Sequence, residues 1–257
     1  MSRAGRRGKR ARRPAARGAL SRRRHARAPP QARARGYARP VPQELPLFPL
    51  SQVVLFPRVR VPLHVFEPRY RQMLRDALAG ARTIGMVTVL PEHHHEMAGD
   101  PPIFAVGCAG FVEAWDRLAD GRYNLVLHGT ERVRILRERP PDGARLYRIA
   151  EVEPLPEVAP APEEEPELRA ARERVLELVR RLLARGPVAA EGARLAALEP
   201  ELFANTLCQI LALPAEEKQG LLEAAGPRAR LETLEGLLHY HLARQRTPAG
   251  GSSELLH

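Results

Sequence analysis

The chain has 257 residues and carries 41 Lys and Arg against 30 Asp and Glu, a formal net charge of +11. The excess sits at one end. Residues 1–39 hold 15 basic side chains and no acid, so the remainder is mildly acidic, 26 basic against 30 acidic, and the folded part does not read as a basic nucleic-acid binder.

Cys108 and Cys208 are far apart, which gives no disulfide framework and no zinc spacing, and fits a reducing, cytoplasmic compartment. No apolar run reaches the roughly 18 residues of a membrane helix. The charged N-terminus has no apolar stretch behind it, so no secretory leader is expected.

In chain order, residues 1–42 are Arg, Ala, Pro and Gly with almost no large apolar side chain, and are expected to be disordered. They are either a basic arm for phosphates or a stretch upstream of a true start near Val41. Residues 43–156 are rich in strand signals. The segment ELPLFPLSQVVLFPRVRVPLHVFEPRYRQML, residues 44–74, alternates core residues with Pro46, Pro49, Pro57, Pro62 and Pro68. Proline is confined to strand starts, edges and bulges, so this segment is expected along a barrel edge.

Tyr70, Met73, Leu74 and Ala77 predict a helix over 69–80, with Pro68 at its start. Strands are expected at 83–90, 103–115, 123–129, 132–138 and 147–155, with a hairpin turn at 119–122. Arg132, Arg134 and Arg137 interleave with apolar residues and predict a strand with one wet face. The whole suggests a closed or half-closed antiparallel barrel.

Residues 154–167, PLPEVAPAPEEEPE, form a stiff, charged linker. Apolar residues at helical steps then predict four helices between 163 and 246, the first stopped by Gly186-Pro187, packed as a small antiparallel bundle. Residues 247–257 are expected to be a disordered tail.

LPLFPL (45–50), VLFP (54–57), PLHVFEPRYRQML (62–74), IGMV (84–87), PPIFAVGCAG (101–110), DGRYNLVLHGTERVRI (120–135), YRIAEVEPL (147–155) and LCQILALPAEEKQGLLE (207–223) stand in one order. Over about residues 44–243 this pattern resembles the N-terminal substrate-recognition domain of the Lon protease family, in a free-standing bacterial version. The resemblance implies an α+β fold, a PUA-like antiparallel β-barrel subdomain over 43–156 followed by a small antiparallel helical bundle over 163–246. It implies binding of proteins or peptides, with no cofactor and no chemistry. No G-x-x-x-x-G-K-[ST] loop occurs, the only Gly-Lys pair being Gly8-Lys9, so no nucleotide cradle and no ATP-dependent proteolysis are expected.

The residues carrying the resemblance are read as structural: Pro46, Phe48, Pro49, Phe56, Pro57, Pro62, Phe66, Glu67, Pro68, Arg69, Tyr70, Gly107, Gly121, Tyr123 and Gly129. One departure is visible. After Phe56-Pro57 the family usually places Gly, and here Arg58 stands, where a positive φ would strain it.

His93, His94 and His95 between Glu92 and Glu96 could hold Zn²⁺ or Ni²⁺, with Asp100 and His128 as further ligands. Adjacent histidines point apart on an extended chain, so a solvated loop without metal is expected. His64 and Glu67 could form an acid–base pair. The structural reading has Glu67 accepting backbone N–H bonds or pairing with Arg69. Cys108, in VGCAG, and Cys208, on an apolar helical face, read as buried thiols, and Ser51 lies in no nucleophile elbow. Phe111 and Trp115 at a strand end read as core, or as anchors for a bound peptide.

The expected partners are unfolded or specific protein segments, captured at a concave junction of barrel and bundle, with a protease as a further partner. Nucleic acid is expected only through residues 1–39, and no membrane. The alternative is an RNA-binding PUA-like protein that uses the basic arm.

Overall fold

The computed structural model describes residues 41–182 and 192–246. The expectations for residues 1–40, for the Gly186-Pro187 helix stop and for 247–257 lie outside the described residues.

Six strands come first: β1 (Glu44–Leu50), β2 (Arg60–Val65), β3 (Thr83–Thr88), β4 (Val106–Arg117), β5 (Tyr123–Arg139) and β6 (Ile149–Leu155), with helix α1 (Pro68–Ala79) between β2 and β3. Hydrogen bonding runs β2-β5-β4-β3-β1-β6, and β6 also pairs with β5, so five strands close a ring and β2 stands outside it. The sheet is mixed, because β1 runs parallel to β3 (Leu47 opposite Gly85, Leu50 opposite Thr88), and the ring is not a regular barrel. The two strands expected at 123–129 and 132–138 are one long strand. Its first half pairs with β2, its second half with β6, and β4 follows it on the other side.

The prolines of β1 fit this ladder. Leu47 donates its N–H to Arg148 O at the edge facing β6, so the backbone of residues 45, 47 and 49 faces β6 and that of 46, 48 and 50 faces β3. Pairing with β6 ends at Pro46, and pairing with β3 begins at Leu47. Each proline therefore turns its nitrogen to the side that has no partner at that level, and no ladder bond is lost. Pro62 does the same on β2. Gly129 donates to Val59 O, which puts residues 59, 61, 63 and 65 toward β5 and Pro62 on the outer edge.

Inside the ring a small apolar cluster packs Leu45, Leu47, Val87, Ala109, Val133, Ala150 and Val152. A larger core lies outside it and is shared with the helices α2 (Glu165–Leu182), α3 (Gly192–Ala196), α4 (Pro200–Ile210), α5 (Ala215–Glu223) and α6 (Pro227–Arg246). α1 buries Tyr70, Met73, Leu74 and Ala77, the face its spacing predicts. Phe48 packs on Tyr70 with ring centroids 4.7 Å apart.

β5 corrects one expectation. Arg132 is not on a wet face: it is 4% exposed, while Arg134 and Arg137 are exposed. Its guanidinium donates to the carbonyls of Leu222, Ala224, Ala225 and Pro156, and its Nε lies 2.8 Å from Glu157 Oε1. A register shift between Ile135 and Arg137 breaks the alternation and leaves Leu136 exposed. Arg230, fully buried, reaches the same Glu157 at 3.0 Å and donates to Leu221 O and Asn205 Oδ1. Asn205 in turn donates to Pro57 O, and Gln219 to Val106 O. These side chains tie the strands to the helices across their junction.

Candidate functional site

β2, the first half of β5 and the end of β4 form a three-stranded flap. Residues opposite one another across it share a face: Pro62, Val126 and Ala114 in one row, His64, Asn124 and Asp116 in the next. These rows, with Trp115, line an open apolar groove of about 530 Å³. A register shift between Val112 and Ala114 inserts Glu113 and twists the end of β4. Trp115 is 40% exposed, with the Arg82 guanidinium 4.8 Å from its ring centroid.

Polar pairs frame the groove. Arg60 grips Glu113 with two bonds, 2.6 and 3.2 Å, and this hydrogen bond is the main cause that holds the Glu113 carboxyl below its ordinary range. His64 Nδ1 lies 2.7 Å from Asn124 Oδ1. Phe66 is 58% exposed and stacks near His64, 6.1 Å between centroids, so this member of FEPRY is a surface aromatic and not part of the interior. Beyond β2 no described strand follows, and the backbone of residues 60, 62 and 64 faces outward.

The other sequence candidates are dispersed. Phe111 is half-buried opposite Thr83 and His128 and does not line the groove. Arg69 donates to Glu67 at 3.0 Å and to Gly99 O and Met97 O, tying the 97–99 loop to α1. Burial raises the Tyr70 phenol to about 12. His93, His94 and His95 sit in a 3₁₀ turn, Pro91–Glu96, where His93 Nδ1 lies 3.0 Å from Glu96 and His94 Nε2 lies 3.2 Å from Val89 O. Among the described residues no group of three or more His, Cys, Asp or Glu gathers for a metal ion. Cys108 and Cys208 are both fully buried, and burial pushes both thiols up, Cys208 to about 12.

Gly107 and Gly129 lie where strands approach closely: a Cβ at Gly129 would fall 2.1 Å from Phe56 O. Gly121 has φ +84° at the hairpin tip, and Tyr123 is buried beside it. Arg58 has φ +63°, in the left-handed region that favours glycine. Its side chain pairs with Glu199 and Glu201 at the start of α4.

Val126, Asn124 and Ala114 were not singled out from sequence. In YNLVLHG the residues between Leu125 and Leu127 point outward, and an apolar Val at such a position is the signal of a non-solvated face.

Among the described residues no helix is long and apolar enough to cross a membrane. Curated relatives include a Lon protease of Flavobacterium johnsoniae, 29% identical over 76% of this chain and 24% of its own length. A Lon protease 2 of Desulfotalea psychrophila is 30% identical over 77% of this chain and 25% of its own length, so this chain spans about a quarter of these relatives. Among solved structures, the Lon N-terminal domain protein from Xanthomonas campestris is 28% identical, with a TM-score of 0.51, over 75% of this chain and 97% of that one. The N-terminal domain of the Mycobacterium avium complex Lon protease, 20% identical, shares the fold with a TM-score of 0.61 over 77% and 99%. The family described as the ATP-dependent protease La (LON) substrate-binding domain matches residues 44–239, and the chain belongs to that family.

Proposed function

We propose that this chain is a non-catalytic recognition module. It holds extended polypeptide segments against the β4–β5–β2 flap and serves substrate selection in proteolysis or protein quality control, in a reducing cytoplasm and beside a protease. The single observation that carries the reading is an open apolar groove on one face of the flap, beside the edge of β2 that no described strand covers. Pro62, Ala114 and Val126 supply an apolar row on that face. The outward carbonyls of Pro62 and His64 can bond the backbone of an added strand. The family's description as a substrate-binding domain supports the same direction. So do the two buried thiols, whose raised pKa values make poor nucleophiles. One small patch binds weakly, so avidity or a partner raises the working affinity.

Trp115 is the only tryptophan of the chain and borders the groove, so its emission reports binding nearby. Titration with a tryptophan-free, unstructured apolar peptide is expected to shift that emission to the blue. Ala114→Asp and Val126→Asp, followed by anisotropy of the labelled peptide, are expected to weaken binding by roughly tenfold or more. Equal affinity in both variants, or hydrolysis of ATP or casein by the purified chain, overturns the reading.

A further inference from the structure

Successive strand residues point to opposite faces, so while Asp116 and Asn124 line the groove, their neighbours Arg117 and Tyr123 turn away from it. There they line a second pocket, about 230 Å³, between the β4–β5 hairpin and α1. Three arginines line this pocket: Arg71 and Arg75 from α1 and Arg117 from β4. Arg71 and Arg75 are four residues apart and share one helical face, an arrangement that repels itself. Among the described residues none of the three forms an ion pair with a carboxylate, and no acidic residue lines the pocket. The acid at the hairpin tip, Asp120, is taken by Arg122, which donates to it from the backbone at 3.0 Å and from Nε at 2.7 Å.

The hairpin leaves room for this cluster. Gly121 sits against the Arg71 guanidinium, and a Cβ there would fall 2.2 Å from Arg71 Nη2. Three like charges with a single carboxylate nearby, Asp120 close to Arg71 and already bonded to Arg122, cost stability, and a bound anion lowers that cost. Guanidinium forks match planar or tetrahedral oxyanions. Three forks offer more donors than one carboxylate can accept, whereas a phosphate dianion has the oxygens and the charge to engage all three.

We propose that this pocket is a binding site for a phosphate-type oxyanion, free or carried as a phosphoryl group, clamped by Arg71, Arg75 and Arg117. The site is separate from the peptide groove, and the inference stands whether or not that groove takes peptide.

The test is calorimetric titration of the full chain with pyrophosphate and, in a second arm, with a phosphoserine peptide. The wild type is expected to bind. Arg75→Gln and Arg117→Gln, at exposed positions, are each expected to weaken binding by roughly tenfold. Gly121→Ala leaves every charge in place, including those of the basic N-terminal residues, and is expected to weaken binding comparably by displacing Arg71. Tighter binding of the peptide assigns the phosphoryl group to a modified protein. Tighter binding of pyrophosphate assigns it to a free small molecule. If neither probe binds the wild type, or if the variants bind as the wild type does, the proposal fails. Should Gly121→Ala fail to fold by circular dichroism, the Arg75→Gln/Arg117→Gln variant decides the matter alone.

Discussion

Arg58, where the resemblance implies glycine, is held at φ +63°, and its guanidinium reaches Glu199 and Glu201 at the start of α4. The left-handed conformation costs a non-glycine residue about 1 kcal/mol, and exposed ion pairs return about 0–1 kcal/mol. The substitution is therefore close to balanced. Arg58→Ala is expected to lose the pairs and keep the strain, lowering stability by about 1 kcal/mol in urea denaturation. Arg58→Gly is expected to stay within about 0.5 kcal/mol of wild type. Equal losses in both variants would mean that strain is not the term that matters. His128 gives a pH effect of definite sign. Burial, and then the charge of Arg60, hold its imidazole below the ordinary value. As pH falls past about 6.5 the unfolded chain takes up this proton first, so stability present above that pH is lost on acidification. The denaturation midpoint is expected to fall between about pH 7 and pH 5, and His128→Asn to fall less. An unchanged slope in the variant assigns the loss to other groups.

Strand β5 is the element on which the β-subdomain turns, since it pairs with β2, β4 and β6 along its length. It passes from β2 to β6 at Gly129, which lies against the backbone of Phe56 and is hydrogen-bonded to Arg58 and Val59. Gly129→Ala would put a methyl 2.1 Å from Phe56 O, a backbone atom that cannot rotate away. The expected loss is about 3 kcal/mol in thermal or chemical denaturation, at the upper end of overpacking effects. A loss under about 1 kcal/mol would mean that the Phe56-Pro57 turn can shift. Much of this element was legible in YNLVLHGTERVRI: the alternation and the flanking hairpin, with Gly129 marked as structural only through the resemblance. Its continuity was not, because Gly129 and Thr130 look like a break when no partner strand is in view. Nor was the burial of Arg132, since one of three arginines in an alternating run looks solvated until the α5 carbonyls that receive it are placed. The proline spacing of β1 announced an unusual strand, but only the two half-ladders of β6 and β3 explain why Pro46 and Pro49 stand at those positions. Trp115 could be named from its place at a strand end. The face it takes depends on the shift at Glu113, which no local sequence signal marks.

For residues 41–182 and 192–246 taken together, the decisive feature is that strands and helices share one apolar core and one buried ionic knot. Glu157 follows directly on β6 and sits between Arg132 of β5 and Arg230 of α6. Both arginines also bind backbone carbonyls near the C-terminal end of α5, where the helix leaves acceptors unsatisfied and its dipole favours cations. Burying such charges is costly in itself, so the knot is poor evidence of extra stability. Its consequence is coupling: neither half can leave the other without exposing an unpaired charge or orphaned carbonyls. Arg230→Met keeps much of the volume but strands Asn205 Oδ1 and Leu221 O, and leaves Arg132 as the one buried partner of Glu157. It is expected to destabilise by about 3–5 kcal/mol. Because the apolar core still spans both halves, unfolding is expected to remain a single transition. Trp115 emission reports the strands and circular dichroism at the helical band reports the bundle, so the two probes should move together in wild type and variant. Two separated transitions in the wild type would show that the knot does not couple strands to helices.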